Sequence, residues 1–307
     1  DLQIRSMRLT VEPDYEFIDR PSEGDLLYDW TFINPRVGIT FVHSPFLSSF
    51  ASLGRMGREP TKVDIFGGFS LVPENFESAA NTSFGPEFVN NIEAGLRWNR
   101  SKMAVSGNLF YMDFLDEIAP IGQVLAFGVQ KRENIASSAR YGAELEWSTL
   151  LVSSLMPTVS PLRSSSLSWE GSLAWMQSQI DAFSTPDGQS YVDREAILSP
   201  NWIINQALML DALTRWGIRL EGRYVSESFM DLTNNPSFMV PAYTLLNAQI
   251  SWKGSRFDLR MDFNNLLDAQ YYSTGSPVDV DFNGSMDEPG FLANAGRNLM
   301  LSTRFRF

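Results

Sequence analysis

Residues 243–253, Tyr-Thr-Leu-Leu-Asn-Ala-Gln-Ile-Ser-Trp-Lys, alternate between apolar and polar side chains. The apolar set is Leu246, Ala248, Ile250 and Trp252. Successive side chains of a β-strand point to opposite faces, so a period of two residues predicts a strand with one apolar face. The pattern resumes over 255–265 and 297–307, and the chain stops at Phe307 in the apolar phase.

About twelve strand-like runs follow one another along the chain. They lie near 1–18, 31–42, 46–56, 88–99, 102–117, 140–152, 166–179, 200–211, 214–226, 242–253, 255–265 and 297–307. Short connections alternate with long ones that are rich in Gly, Pro, Asn and Ser, which indicates an up-and-down meander with turns at one rim and loops at the other. The fold class predicted is all-β, an antiparallel transmembrane β-barrel.

The aromatic residues of the apolar phase are sorted by rim. The short-turn rim has Trp98, Trp169, Trp216, Trp252, Phe257 and Phe307, and the long-loop rim has Tyr111, Trp175, Trp202 and Tyr224. Two aromatic belts on the outward face are typical of a barrel in lipid. A soluble β-sandwich binding module also alternates apolar and polar residues, but its core gives no reason for this sorting.

Composition excludes several other classes. The chain has 307 residues, no cysteine, one histidine and a formal net charge of −12. A strongly acidic balance argues against nucleic acid as a partner, and the lack of cysteine removes disulfides and thiolate metal sites. No apolar run is long enough for a membrane helix, and no signal peptide precedes the first strand-like run, which predicts either a mature form or part of a longer chain.

Several stretches, in order, resemble the C-terminal half of TonB-dependent outer-membrane receptors. They are Asn34-Pro35-Arg36-Val37-Gly38, Gly57-Arg58-Glu59-Pro60-Thr61, Asn91-Ile92-Glu93-Ala94-Gly95-Leu96-Arg97, Tyr141-Gly142-Ala143-Glu144-Leu145-Glu146, Tyr243-Thr244-Leu245-Leu246-Asn247, Asn264-Asn265-Leu266-Leu267-Asp268, Tyr271-Tyr272 and Gly296-Arg297-Asn298. The resemblance implies a barrel of about 22 strands with a plugged lumen, of which residues 1–307 are the C-terminal part, about the last twelve strands. The resemblance also implies that the plug domain and the first strands are absent from this sequence.

The resemblance also implies location and partners. The protein is expected in the outer membrane of a Gram-negative-type bacterium, among lipid and lipopolysaccharide. Uptake of a scarce nutrient, such as an iron chelate (siderophore), a cobalamin or a saccharide, is driven by a TonB-type energy-coupling protein that contacts the missing N-terminal part. The barrel-assembly machinery is expected to recognise the C-terminal aromatic strand.

An enzyme is not predicted. His43, the only histidine, lies in a short turn, so a Ser-His pair and a His-rich metal site both lack parts. The alternative is a self-contained smaller barrel that acts as a passive pore. Pairing of 297–307 with 1–18 would make the ring self-contained, whereas a free edge would indicate a fragment.

Charged residues of the polar phase are expected to line the lumen. They are Arg36, Glu93, Arg97, Glu144, Glu146, Glu170, Arg219, Glu221, Arg223, Asp258, Arg260 and Asp262. Such charges can pair with one another or with a plug, or contact a charged ligand. Spacing does not separate these alternatives.

Two loop features are candidates for ligand binding. Asp279, Asp281 and Asn283, followed by Gly284, have the opening spacing of a calcium loop, although position 12 is Gly290 instead of an acid. No other cofactor is predicted, and a solvated acidic turn is the alternative. The long loop over 57–87 contains four aromatic candidates for contact with a small-molecule ligand, namely Phe66, Phe69, Phe76 and Phe84. Self-packing of that loop is the alternative.

Overall fold

The computed structural model describes residues 1–11, 26–61, 64–65, 85–124, 130–153, 165–184, 188–212, 215–281 and 286–306. Seventeen strands account for most of them, and the list that follows gives their bounds. They are β1 Leu2–Val11, β2 Leu26–Ser44, β3 Leu47–Arg58, β4 Glu87–Arg100, β5 Met103–Val124, β6 Gln130–Val152, β7 Ser166–Ser184, β8 Ser190–Arg194, β9 Trp202–Ala212, β10 Trp216–Val225, β11 Ser228–Phe229, β12 Met239–Val240, β13 Tyr243–Lys253, β14 Phe257–Asn264, β15 Tyr272–Val278, β16 Glu288–Ala293 and β17 Asn298–Phe305. Among these residues, no helix has the length and apolarity to cross a membrane.

The main sheet is an antiparallel meander of twelve strands in the order β1-β2-β3-β4-β5-β6-β7-β9-β10-β13-β14-β17, with β8 added to β7. All twelve strands predicted from the alternation are present, which confirms the fold class. β1 and β17 form the two edges, and within the described part of the chain they do not pair with each other. Within the described residues the sheet is therefore open.

One face of the sheet is apolar from edge to edge. The register aligns Leu53 with Ile92 and Ile92 with Tyr111, and further along it aligns Ile218 with Ile250. Side chains on this face are exposed, such as Ile39 at 61% and Leu109 at 64%, although they are apolar. An exposed apolar face of this extent is expected for a surface that contacts hydrocarbon.

The aromatic belts lie where the sequence predicted them. Trp216 is paired with Trp252 at the short-turn rim, and Trp175 is paired with Trp202 toward the long-loop rim. Trp202 and Trp216 are 41% and 46% exposed, which places their rings on the outward surface. Phe307 lies outside the described residues.

The long connections between the predicted strands, at 118–139, 180–199, 227–241 and 266–296, contain strands, so the prediction of loops there was wrong in part. β5 extends to Val124 and β6 begins at Gln130, so that hairpin continues well past the predicted strand ends. The other three contain β8, the β11–β12 pair and the β15–β16 pair. Residues such as Pro120 and Pro277 interrupt the alternation there, which hid these strands from the sequence pattern.

Two small cores explain why these extensions are ordered. One contains Ala119, Ile135, Ile180, Phe183, Ala196 and Leu232. The other contains Met230, Phe238 and Val240, with Tyr272 and Phe291 packed against it. Both bury apolar side chains on the long-loop side of the sheet, so hairpins that would be marginal alone are stabilised by contact with one another.

Gly142 in β6 has no room for a side chain. A Cβ there would lie 2.2 Å from the backbone oxygen of Trp175 and 2.7 Å from the Phe110 ring. We expect Gly142→Ala to destabilise the barrel by about 1 to 2 kcal/mol, because the added methyl forces backbone or ring movement. Urea unfolding in lipid vesicles, followed by tryptophan fluorescence, measures the change.

Gly222→Ala in β10 is the matched control, because a Cβ at Gly222 meets no atom within 4 Å. Alanine favours strands slightly over glycine, so this variant should be as stable as the unmodified protein or more stable. Equal destabilisation of the two variants would contradict the close approach at Gly142.

Candidate functional site

The polar face of the sheet carries the charges predicted for the lumen, and several of them pair with one another. Arg219 lies 3.0 Å from Glu221 and 3.6 Å from Glu170, which joins β10 to β7. Arg260 lies 2.8 Å from Asp262, whose other contact is an amide hydrogen bond from Gln249. Mutual pairing keeps these charges satisfied on a wet wall.

A cavity of about 620 Å³ opens on this wall near the short-turn rim. Its charged lining is Arg97, Glu146, Glu170, Arg219 and Glu221. Neutral hydrogen-bonding groups lie among them, since the Asn205 amide donates to the Ser172 hydroxyl over 3.0 Å. A lining with carboxylates, guanidinium groups and amides can hold a polar segment or ligand through hydrogen bonds.

A second polar cluster lies at the start of the long loop after β3, and we call it the loop-rim clasp. It consists of Arg58, Thr61, Asp64, Glu87 and Arg132. The Asp64 carboxylate, only 3% exposed, accepts from Arg58 at 3.2 Å and from Arg132 at 3.1 Å. Arg58 also donates to Glu87 over 2.6 Å. The clasp therefore ties the loop to β3, β4 and β6.

Thr61 and Asp64 hold each other through reciprocal hydrogen bonds. The Thr61 amide donates to the Asp64 carboxylate over 2.8 Å, and the Asp64 amide donates to the Thr61 hydroxyl over 3.2 Å. This is the arrangement of a capping box at a helix start, here at Asp64 and Ile65. The Thr-x-x-Asp spacing is the sequence signal that would have revealed it.

Beside the clasp, Arg5 of β1 binds the same loop. Its guanidinium donates to both carboxylate oxygens of Glu59, over 2.9 and 2.6 Å, and to the backbone oxygen of Gly57 over 3.2 Å. The Gly57 amide in turn donates to the Asn34 side chain over 3.0 Å. In the sequence, the stretch Gly57 to Thr61 was only one part of a family resemblance. In the structure it connects β3 to β1 and β2, and through the Arg58–Glu87 pair to β4.

Neighbouring hydrogen-bond donors and guanidinium groups lower the pKa of two carboxyls, those of Asp64 and Glu59. Burial acts to raise the pKa of Asp64, but hydrogen bonds from Thr61 and the charges of Arg58 and Arg132 outweigh it, and the pKa is lowered. The hydrogen bonds from Arg5 lower the pKa of Glu59. Both groups therefore stay ionised at neutral pH and contribute favourably to the folded state.

The clasp and the Arg5–Glu59 pair beside it should weaken in acid. Because both folded-state pKa values lie below those of the unfolded chain, about 3.9 for Asp and 4.3 for Glu, the stabilisation is complete above those values. It is lost as pH falls through the lower folded-state values. We expect the amide of Thr61, which donates to Asp64, to lose hydrogen-exchange protection below about pH 4 after correction for intrinsic rates. Constant protection down to pH 3 would contradict this role.

The candidate calcium loop is partly assembled. Asp279, Asp281 and Asp287 place one carboxylate oxygen each within 4.8 Å of one another. Asp287 does not occupy position 12, the closing acid position of the calcium-loop spacing, but it supplies the third carboxylate of the cluster. Its carboxylate also accepts a hydrogen bond from the Val280 amide over 3.3 Å. Asn283 lies outside the described residues. Exposed acidic groups often gather without an ion, so the calcium site stays a prediction.

Calorimetric titration tests it directly. Addition of Ca²⁺ to the protein should release binding heat for one site, and Asp281→Ala should remove that heat because a ligand oxygen is lost. Asp268→Ala, an acid on the preceding connection that pairs with Arg297, is the matched control and should leave the heat unchanged. Absence of heat with the unmodified protein would refute the site.

The aromatic loop candidates Phe66, Phe69, Phe76 and Phe84 lie outside the described residues, so their contact with a ligand stays a prediction. The structure instead brings together Arg58, Asp64, Glu87 and Arg132, which the sequence reasoning missed as a group. Residues as distant as Asp64 and Arg132 meet only through the register of β3 to β6.

Comparison with solved structures finds a similar fold in proteins named as uptake receptors and as a copper transporter. The ferric yersiniabactin uptake receptor FyuA from Yersinia pestis has a TM-score of 0.66 and 16% identity, with 92% of this chain and 38% of that chain covered. The copper transporter OprC gives 0.70 and 17%, with 100% and 44% covered. The siderophore receptor PiuA from Acinetobacter baumannii gives 0.68 and 15%, with 99% and 40% covered.

This chain therefore spans about two fifths of the length of these solved structures. No curated protein matches it. A family model described as TonB dependent receptor-like, beta-barrel, matches residues 9–266, which is most of the chain. The apolar outward face, the two aromatic belts and this match lead to one conclusion: the chain belongs to the TonB-dependent receptor beta-barrel family of the bacterial outer membrane.

Proposed function

We propose that the protein takes up a scarce nutrient across the outer membrane by energy-coupled transport, with a metal chelate as the first candidate. The family match over residues 9–266 is the observation that carries this proposal. Solved structures with the same fold include proteins named for siderophores and for copper, which supports a metal cargo. A cobalamin and a saccharide are the alternatives.

The polar wall agrees with a gated lumen. Charges such as Arg219, Glu170 and Glu221 surround the cavity on the polar face, so a mobile polar segment could dock there and leave without exposing apolar surface. We propose that such a segment is the plug, and that a TonB-type protein drives its movement. Contacts with lipopolysaccharide and with the barrel-assembly machinery belong to the same proposal.

The open sheet favours a receptor over a small pore. In hydrocarbon, an unpaired edge leaves N–H and C=O groups without partners, at several kcal/mol each by order of magnitude. Because β1 and β17 do not pair with each other in the described part of the chain, we infer a ring that is completed by further strands.

Uptake assays in the native host test the proposal. Deletion of the gene should lower the cell content of one metal at least tenfold during growth under limitation of that metal, measured by mass spectrometry of digested cells. A protonophore should abolish the uptake that the intact gene restores, because the transport is energy-coupled. Mass spectrometry of the purified, intact protein should then identify the chelate bound to it.

Two outcomes would contradict the proposal. Uptake that continues after the proton gradient is dissipated, together with steady conductance in planar bilayers, would favour a passive pore. Unchanged contents of every metal after deletion would exclude a metal cargo, and growth on cobalamin or on single saccharides would then separate the alternatives.

A further inference from the structure

An apolar groove crosses the outward face of β10, β13, β14 and β17 next to the short-turn rim. Its volume is about 450 Å³, and its wall is almost wholly apolar. The wall includes Trp216, Ile250, Trp252, Phe257, Leu259 and Leu301. A flat lipid-facing surface would not have such a depression, so the shape offers a place for one elongated apolar group.

The end of the groove at the rim is built from a fixed aromatic row. The ring centroids of Trp252 and Phe257 are 5.2 Å apart, and those of Phe257 and Phe305 are 6.2 Å apart. Gly254 lies beneath the indole, where a Cβ would be 2.6 Å from the Trp252 ring and 2.5 Å from the Phe257 oxygen. The turn therefore holds the rings in place, which preorganises the groove.

Cations border this end of the groove. Two aromatic wall residues are each preceded by a basic residue in the turn at the rim: Arg215 before Trp216 and Arg256 before Phe257. The turns are adjacent, since the Lys253 amide donates to the Arg215 oxygen over 2.8 Å. Both arginine side chains are exposed, and neither forms a salt bridge within the described residues. In a chain with net charge −12, this local excess of positive charge requires an explanation.

We propose that the groove is a specific site for an anionic phospholipid of the periplasmic leaflet. One acyl chain lies along the groove, and the phosphate binds the cations at the rim. Short turns of outer-membrane barrels face the periplasm, which places these cations at the depth of the lipid headgroups. Arginine and lysine bind phosphate oxygens through charge-assisted hydrogen bonds, and aromatic belts mark the same interface.

Other occupants fit the groove less well. A stable protein interface buries on the order of 1,200 Å² or more, which is far beyond one groove of this size. A zwitterionic phospholipid would fill the groove equally, but its headgroup carries an ammonium that offsets the attraction to these two cations. The basic border therefore favours a headgroup with net negative charge.

Native mass spectrometry of the intact, delipidated protein in a mild detergent tests the site. Phosphatidylglycerol and phosphatidylethanolamine with identical acyl chains are titrated separately, and inorganic phosphate is added as a competitor. We expect one phosphatidylglycerol to bind tightly, with weaker binding of phosphatidylethanolamine. The double variant Arg215→Gln/Arg256→Gln should weaken phosphatidylglycerol binding about fivefold for each cation removed, so about 25-fold.

The charge control is Arg100→Gln/Lys102→Gln, which removes two cations from the β4–β5 connection on the same rim, away from the groove. It should leave the affinity unchanged. Equal loss in both double variants would overturn the site in favour of diffuse attraction to a basic rim. Equal binding of the two lipids, or no retained lipid, would overturn it as well.

A second pair of variants tests the groove itself. Leu259→Trp fills the groove with a larger apolar side chain and should lower phosphatidylglycerol binding at least fivefold. Leu96→Trp places the same side chain on the outward face of β4, outside the groove, and should have no effect. The role of the acyl chain would be refuted if inorganic phosphate displaced the lipid and the Leu259→Trp variant bound phosphatidylglycerol as tightly as the unmodified protein.

Discussion

Ile250→Arg is expected to destabilise the membrane-inserted barrel by about 2 kcal/mol, whereas Gln249→Arg, one residue away, should cost well under 1 kcal/mol. The side chain of Ile250 lies between Ile218 and Met261 on the outward face, which contacts hydrocarbon. The residue is 37% exposed there. Arginine on the lipid face costs roughly 2 to 4 kcal/mol at the bilayer midplane and less near the interfaces. Ile250 is two residues from Trp252 in the aromatic belt, so it lies nearer the interface than the midplane. The expected cost is therefore at the lower end of that energy range.

Gln249 faces the opposite way and donates its amide to Asp262 over 2.8 Å. Arginine at this position loses that hydrogen bond but places a cation beside a carboxylate on a wet wall, so little stability is lost. Ala248→Arg should reduce stability more than Ile250→Arg, because residue 248 lies two residues further from the aromatic belt on the same face and so nearer the bilayer midplane. Heat modifiability and urea unfolding in vesicles measure all three. Equal effects of the 249 and 250 substitutions would refute the assignment of faces.

Asp64→Ala should destabilise the long-loop side by about 2 to 3 kcal/mol. The carboxylate is buried and accepts hydrogen bonds from Arg58, Arg132 and the Thr61 amide, so its removal leaves two guanidinium groups with fewer partners. Breaking a fully buried pair costs about 3 to 5 kcal/mol, and here the two arginines are 42% and 39% exposed, which reduces the figure. Hydrogen exchange at β3 and β4 measures the local change.

Asp29→Ala is the matched control for the clasp. Asp29 also accepts from an arginine, Arg8, over 2.8 Å, but both side chains are exposed, at 47% and 67%. An exposed pair of this kind contributes little to stability because solvent screens it, so protection at β1 and β2 should change little. Asp64→Ala should also flatten the acid dependence described for Thr61. An unchanged acid dependence would assign the protection to other groups.

Alternation was sufficient to place all twelve strands of the main sheet because a period of two residues is a direct consequence of strand geometry. The same period predicts that Ile250, Trp252 and Leu259 face outward, and the pairing of β10, β13 and β14 aligns them with Ile218, Trp216 and Met261 on one face. Alternation failed where Pro120 and Pro277 interrupt the pattern, because β5 and β15 are held by contacts with other hairpins. Local sequence carries no record of those contacts.

Whether the sequence alone or only the folded structure reveals a feature depends on how far apart its residues lie along the chain. Local residue patterns determined the strand faces, the aromatic belts and the sign of the charges, since each depends on neighbours a few residues apart. The loop-rim clasp, the grouping of Asp279 and Asp281 with Asp287, and the basic-edged groove arise from register, which brings residues from separate strands together. Register depends on the packing of the whole sheet, and so these sites appear only when the chain is folded.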